Sequence, residues 1–274
     1  VRIQKALADL GLGSRREIER WIAEGRVEVN GRRARLGDRI GVTDRVRVDG
    51  REIRRRPQEG SLRVIAYNKP EGEMVTRRDP EGRPTVFSRL PRLDRGRWIA
   101  IGRLDINTSG LLLLTNDGEL ANRLMHPSRS VEREYAVRIL GDVPREAFHR
   151  LTHGVELSDG PARFEEIVES GGGAANRWCH VVLREGRNRE VRRLWEAVGL
   201  QVSRLKRVRF GNVILGPELP RRRWRDLTEG EMAGLLAQAG MDPGRAARRS
   251  GGPAAGGAGP LARGRRAHGP GRRS

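Results

Sequence analysis

The chain has 274 residues, with 55 Lys and Arg against 35 Asp and Glu, a formal net charge of +20 and one cysteine. A lone cysteine excludes an internal disulfide framework and any multi-cysteine zinc site, and the histidines lack metal-ligand spacing. No apolar stretch approaches the roughly 20 residues of a membrane span and no signal peptide is recognisable, so a soluble, intracellular chain is expected.

The cations are almost all arginine, whose planar fork matches phosphate, and they are spread through the chain rather than confined to one tail. A polyanionic partner, nucleic acid first, is the expectation.

Ile3, Leu7 and Leu10 recur at helical spacing until Gly11-Leu12-Gly13 breaks the pattern. Ser14 to Glu17 then reads as a capping box opening a second helix, with Ile18, Trp21 and Ile22 inward and Gly25 at its end. That leaves Arg15, Arg16 and Arg20 near one exposed edge. Val27 and Val29 alternate, Asn30-Gly31 forms a hairpin turn, and Val46-Arg47-Val48 leads to Asp49-Gly50. Two short helices and a small hairpin-rich sheet, with Arg32 and Arg33 among the cations on its exposed faces, could hold a folded RNA by backbone and shape. A helical protein-binding module is the structural alternative. The text RIQKALADLGLGSRREIERWIAEGRVEVNGRRARLGDRI resembles the S4 RNA-binding domain.

Arg54 to Gly60 is polar, and the S4-like module is assigned to residues 1–57 with a linker at 58–61. Strands are expected at 62–67, 98–102, 111–115, 133–140, 164–168, 178–183 and 201–208, and helices at 119–125, 144–152, 189–197 and 228–238. Without a regular βαβ alternation, this pattern predicts an α+β domain over 62–238, built on a mostly antiparallel sheet flanked by helices. Residues 239–274, rich in Gly, Ala, Pro and Arg, are expected to be a disordered basic tail.

Within that domain, Asp105 precedes the polar loop Asn107 to Gly110 and the apolar run Leu111 to Leu114, which ends at Asn116-Asp117-Gly118. So short a run between turn residues suits a strand covered on both faces, and a loop braced by such a strand is where catalytic groups are often carried. Asp also commonly caps turns, so both readings stand at this point. Arg103 adds a cation that could hold a carboxylate or a phosphate. Tyr135 lies in a strand among charged neighbours, and Leu183 to Leu194 ends a strand, turns at Gly186 and opens an arginine-rich helix. Gly171-Gly172-Gly173 does not fit a dinucleotide fingerprint, and Ser109-Gly110 lacks the hydrolase nucleophile elbow. His126-Pro127 reads as a structural helix end.

Lys69-Pro-Glu-Gly72, GRLDINTSGLLLLTNDG, the Glu134-Tyr135 strand and EGRNREVRRLWEAVG together resemble the pseudouridine synthases that modify ribosomal RNA. The branch is the one that groups the A-type enzymes of small-subunit RNA with the B, E and F types of large-subunit RNA. REVRRLWEAVGLQVSRLKRVRFGNV is most similar to the B type. The resemblance implies isomerisation of uridine to pseudouridine in 23S ribosomal RNA or a ribosome assembly intermediate, by a cytoplasmic monomer that needs no metal or cofactor. A 16S or other RNA target, or a non-catalytic S4-type ribosome-assembly protein, remains the alternative.

The resemblance also distributes roles. Asp105 matches the catalytic aspartate, which either adds covalently to the nucleotide or abstracts a ribose 2′ proton. Tyr135 matches the residue that stacks on the base and can take the C5 proton, and Leu183 the apolar residue on the opposite base face. Arg192 matches the cation paired with the aspartate, and Arg103 the arginine that enters the gap left by a flipped base. Lys69, Arg187 and Arg189 are assigned to substrate binding, and Arg15, Arg16, Arg20, Arg32 and Arg33 to RNA contacts. The Arg187-Asn188-Arg189 turn lacks the His-Gln of more distant branches. A glycosidase reading would need a second flanking carboxylate, and Asp117 lies beyond the apolar strand.

Overall fold

The computed structural model describes residues 1–53, 62–93, 96–173 and 176–244. The boundary at 57, the linker at 58–61 and residues 245–274 of the expected tail fall outside these.

The N-terminal module contains α1 (Ile3–Asp9), α2 (Arg15–Ala23), β1 (Val27–Val29), β2 (Arg32–Arg33), β3 (Val46–Val48) and β4 (Arg51–Glu52). Ser14 opens α2 with the expected box: its hydroxyl accepts from Glu17 N at 3.1 Å and the Glu17 carboxylate accepts from Ser14 N at 3.2 Å. The strands form a four-stranded sheet, β2-β1-β3-β4, which with the helices buries a core around Ile3, Leu7, Ile18, Ile22 and Val27.

The second domain runs through β5 (Val64–Lys69), β6 (Ile99–Ala100), β7 (Ser109–Thr115), α3 (Gly118–Met125), β8 (Arg133–Leu140), α4 (Arg145–His153), β9 (Val155–Leu157) and β10 (Gly160–Ala162). It continues with β11 (Glu166–Gly173), β12 (Asn176–Leu183), α5 (Glu190–Ala197), β13 (Val202–Phe210), β14 (Val213–Ile214), β15 (Trp224–Asp226) and α6 (Glu229–Gln238). The expected helices are all present to within a residue or two. The β9–β10 hairpin and β15 carry no sequence signal, being three residues each and, in β10, containing Pro161. The strand expected from 164 begins at Glu166 because Phe164 drops into the core, with its N–H on Leu151 O at 2.9 Å. The domain also does not end at 238: Ala239 and Met241 are buried in its core.

The main sheet has nine strands in the order β11-β12-β8-β13-β7-β5-β15, with β14 on β13 and β6 on β7. Among the described residues its pairings are antiparallel except β13 with β7, where Lys206 meets Ser109 and Arg207 meets Gly110. The apolar run is covered on both faces, as its length predicts. Leu112 and Leu114 enter one apolar cluster with Tyr67, Tyr135 and Trp195, while Leu111 and Leu113 enter another with Ala66, Phe210 and Leu235.

Gly110 sits where the two halves of the sheet meet. Its φ is +102°, and a Cβ there would stand 2.8 Å from Arg207 N and still closer to Arg207 O. Both the backbone conformation and the approach of β13 therefore require glycine. Gly110→Ala is expected to cost about 3 kcal/mol or more. That should lower the melting temperature by about 10 °C in a domain of this size. An unchanged thermal transition would show that the seam tolerates a side chain.

Candidate active site

A cleft of about 610 Å³ opens on the face of the sheet that holds Tyr135 and Leu183. Asp105, Arg103, Tyr135, Leu183, Arg187 and Arg189 all line it. The register explains the placement: Tyr135 of β8 stands opposite Val181 of β12, and Leu183 lies two residues along on the same face. Arg103 is exposed at the rim, while Tyr135 and Leu183 are buried in the floor.

The Asp105 loop is held from beneath by two buried cations. Lys69, at the end of β5, is fully buried and donates from Nζ to the carbonyls of Asp105 at 3.0 Å, Thr108 at 2.8 Å and Pro70 at 3.1 Å, with Ile106 O at 3.5 Å. Gly72 N donates to Ile106 O at 2.8 Å, and Thr108 N closes the turn onto Asp105 O at 3.0 Å. From helix α5, which packs against β9 and β13, Arg192 donates from Nη2 to Asn107 O at 3.0 Å and from Nη1 to Val202 O at 2.8 Å. Every carbonyl from Asp105 to Thr108 is thereby satisfied. The Asp105 carboxylate itself makes no hydrogen bond among the described residues and lines the cleft.

This geometry alters three of the assigned roles. Lys69 lies under the loop rather than in the wall of the cleft, so it reaches a substrate only through the loop it holds. Arg192 forms no ion pair with the Asp105 carboxylate, because its fork is occupied by two carbonyls; the Asp105 charge still favours its protonated form, against a larger opposing effect of burial. Arg187 lines the cleft but is spent on structure: it pairs with Glu185 at 2.9 Å and donates to Gly160 O at 3.1 Å and Pro161 O at 2.8 Å, fastening the β9–β10 hairpin. Arg189 precedes α5 with a left-handed φ of 49°.

Residues without an assigned role complete the cleft. Arg207 is buried, donates from Nε to Leu111 O at 2.7 Å, and lies with its guanidinium 5.3 Å from the Phe210 ring centre. Burial pulls its pKa down, and the neighbouring Tyr135 partly offsets this. Arg133 is also buried at 5.3 Å from the same ring and donates to Val131 O and Arg184 O, both at 2.8 Å. Their signal was parity: in β8 and β13 both arginines occupy positions where alternation calls for a core residue. Glu190 is buried, and desolvation together with a hydrogen bond shared with Glu185 pushes its carboxyl up to about 7. Asp117 caps α3, accepting from Glu119 N at 2.8 Å and Leu120 N at 2.9 Å, and is absent from the residues lining the cleft. Among the described residues no cluster of His, Cys, Asp and Glu could hold a metal ion, and no helix is long and apolar enough to cross a membrane.

Burial pushes the Lys69 ammonium down to about 8, although Glu73, Asp105 and Glu71 each favour its charged form. Lys69 is thus protonated at neutral pH and gives up its proton as pH rises through about 8, loosening the loop. The rate of the expected isomerisation should fall over that interval. Lys69→Gln should lose on the order of 10- to 100-fold in rate at neutral pH, from displacement of Asp105, and should lack the basic limb. Single-turnover rates measured against pH for both proteins check this; an identical basic limb in the variant would clear Lys69 of the role.

Comparison with known proteins gives these features a context. The family model described as RNA pseudouridylate synthase matches residues 63–197, and the S4 domain model matches residues 1–46. The chain is 59% identical over 244 residues to a protein of Pseudomonas aeruginosa named ribosomal large subunit pseudouridine synthase B, covering 88% of this chain and 63% of that protein. It thus spans less than two thirds of that relative's length. It is 60% identical over 246 residues to the protein of the same name from Pasteurella multocida, covering 86% of this chain and 71% of that one. A crystal structure of a pseudouridylate synthase superposes with a TM-score of 0.61 at 25% identity, over 86% of this chain and 99% of the other. With its Asp105 loop, cleft and N-terminal module in these positions, the chain belongs to the RNA pseudouridylate synthase family and carries an S4 domain.

Proposed function

We propose that this chain isomerises a specific uridine of 23S ribosomal RNA to pseudouridine, with Asp105 as the catalytic carboxylate. The observation that carries the proposal is the Asp105 carboxylate at the cleft, which makes no hydrogen bond among the described residues, on a loop clamped by Lys69 and Arg192. The large-subunit target is supported by the names of the similar proteins from Pseudomonas aeruginosa and Pasteurella multocida.

The reaction breaks the bond between uracil N1 and ribose C1′, turns the freed base, joins C5 to C1′, and loses the C5 proton while N1 gains one, so that product and substrate are isomers. Asp105 serves it at the ribose, as a nucleophile or as the base that takes the 2′ proton. A uridine stacked in folded RNA cannot reach the cleft, so the base is flipped outward, and Arg103 at the rim fills the space it leaves. Tyr135 offers a ring face to the flipped base and an oxygen for the C5 proton, while Leu183 walls the base with apolar surface. Arg189 at the cleft is available to the RNA backbone, and Arg187 contributes by holding the hairpin at its edge.

In the S4 domain Arg15, Arg16, Arg20, Arg32 and Arg33 are all exposed. Arg20 pairs with Glu24 at 3.6 Å and Arg32 with Asp38 at 3.3 Å, surface ion pairs weak enough to yield to phosphate. These arginines supply affinity and register without reading the target base. A cytoplasmic site of action follows from a ribosomal RNA substrate.

Asp105→Asn should abolish pseudouridine formation in large-subunit ribosomal RNA while leaving RNA affinity nearly intact; retained turnover in a pseudouridine-mapping assay would remove Asp105 from the chemistry. Replacing Arg15, Arg16, Arg32 and Arg33 by Gln should weaken RNA binding and flatten its salt dependence, by about 0.7 to 0.9 in log–log slope for each phosphate no longer neutralised. An unchanged slope would take the S4 domain out of the binding surface.

A further inference from the structure

The strands β12, β8 and β13 have two faces, and the cleft uses one of them. Tyr135, Val137, Cys179, Val181, Leu183 and Leu205 turn toward the cleft-side apolar cluster. The alternate positions, Ala136, Arg138, Trp178, His180, Arg204 and Lys206, turn the other way and belong to neither apolar cluster of the domain. Register sets them in rows. Trp178, Arg138 and Arg204 stand opposite one another across the three strands, and His180, Ala136 and Lys206 form the next row. Arg204 and Lys206 are exposed, and Trp178, His180 and Arg138 are half-buried.

The charges on this face are unevenly matched. Glu134, at one end, forms an ion pair with Arg209 at 2.9 Å and a hydrogen bond with His180 Nδ1 at 2.7 Å. Glu166 on the neighbouring strand β11 is exposed at the same end. Toward the other end, Arg138 donates from Nε to Ser203 Oγ at 2.9 Å, and neither it nor Arg204 nor Lys206 forms an ion pair among the described residues.

We infer that the outer face of β12, β8 and β13 is a second RNA-binding surface, which holds a single-stranded stretch of the RNA whose target uridine lies in the cleft. The inference rests on RNA being the substrate. Unpaired cations beside an indole plate are what a strand of stacked bases and phosphates requires, and successive rows lie ~7 Å apart along the strands, comparable to one nucleotide step of an extended chain. A protein partner suits the face poorly, since its interface core would have to desolvate Arg204 and Lys206. Because the cleft lies on the opposite face, the surface acts on affinity and leaves the chemical step alone.

The probe is a labelled mixed-sequence single-stranded RNA oligonucleotide titrated into the full chain. The double variant R204Q/K206Q should bind it about tenfold more weakly and lower the log–log salt slope by about 1.4, as expected when two phosphates of a single strand are no longer neutralised. Trp178→Ala should weaken binding about tenfold while leaving the salt slope unchanged, because stacking releases no counterions. Should Trp178→Ala lower the melting temperature, the exposed Arg204 and Lys206 pair decides alone. Unchanged affinity and slope in the double variant would overturn the inference. The readout is binding, so a chain inactive on 23S RNA that nevertheless lost affinity in the double variant would refute the proposed reaction and leave this surface standing.

Discussion

Two buried cations beneath one short loop set the conditions for everything else in the catalytic domain. Lys69 comes from strand β5 and Arg192 from helix α5, and between them they take a carbonyl from each residue of the Asp105 to Thr108 loop. A buried carbonyl left unsatisfied costs about 1–3 kcal/mol, so the loop and its two anchors form one cooperative unit. The arrangement spends both positive charges on backbone. The carboxylate of Asp105 is consequently left facing the cleft, oriented by its own main chain rather than tied down by a salt bridge.

The anchors can meet only because the sheet brings them together. β7 runs through the middle with one side chain in each apolar cluster by turns, and its first residues meet β13 at the parallel seam. Gly110 permits that approach, and Arg207 tightens it by donating from the adjacent strand to Leu111 O. A wider seam would move α5, and Arg192 with it, away from the loop. Rigidity of the site is thus inherited from packing at the centre of the sheet.

The cleft also stores electrostatic tension. Arg133 and Arg207 bury guanidinium groups whose hydrogen-bond partners are mostly backbone carbonyls, each 5.3 Å from the centre of the Phe210 ring. Glu190, buried beside Glu185, has its carboxyl pushed up to about 7, since burial and a second carboxyl both disfavour its charge. Such groups raise the cost of folding, and they cluster here, around Asp105 and Tyr135, rather than through the core at large.

Much of this was legible in the order of residues. The helices, the central strands and the two-faced burial of Leu111 to Leu114 follow from periodicity and turn chemistry, which act over a few neighbours. Asp105, Tyr135 and Leu183 stood out from motif resemblance and do come together in one cleft. What local sequence could not reveal is which partner a charged side chain chooses across the fold. Lys69 to the Asp105 loop, Arg192 to Asn107 and Arg207 to Leu111 link residues tens of positions apart, pairings that no local pattern of the sequence encodes. The burial of Ala239 and Met241 and the paired short strands β9 and β10 were invisible for the same reason, because they depend on long-range packing and on anchoring by Arg187. Sequence alone determined the elements, the basic character and the candidate residues; tertiary structure decided which cations serve the backbone and which remain for RNA, because buried carbonyls compete for the same donors.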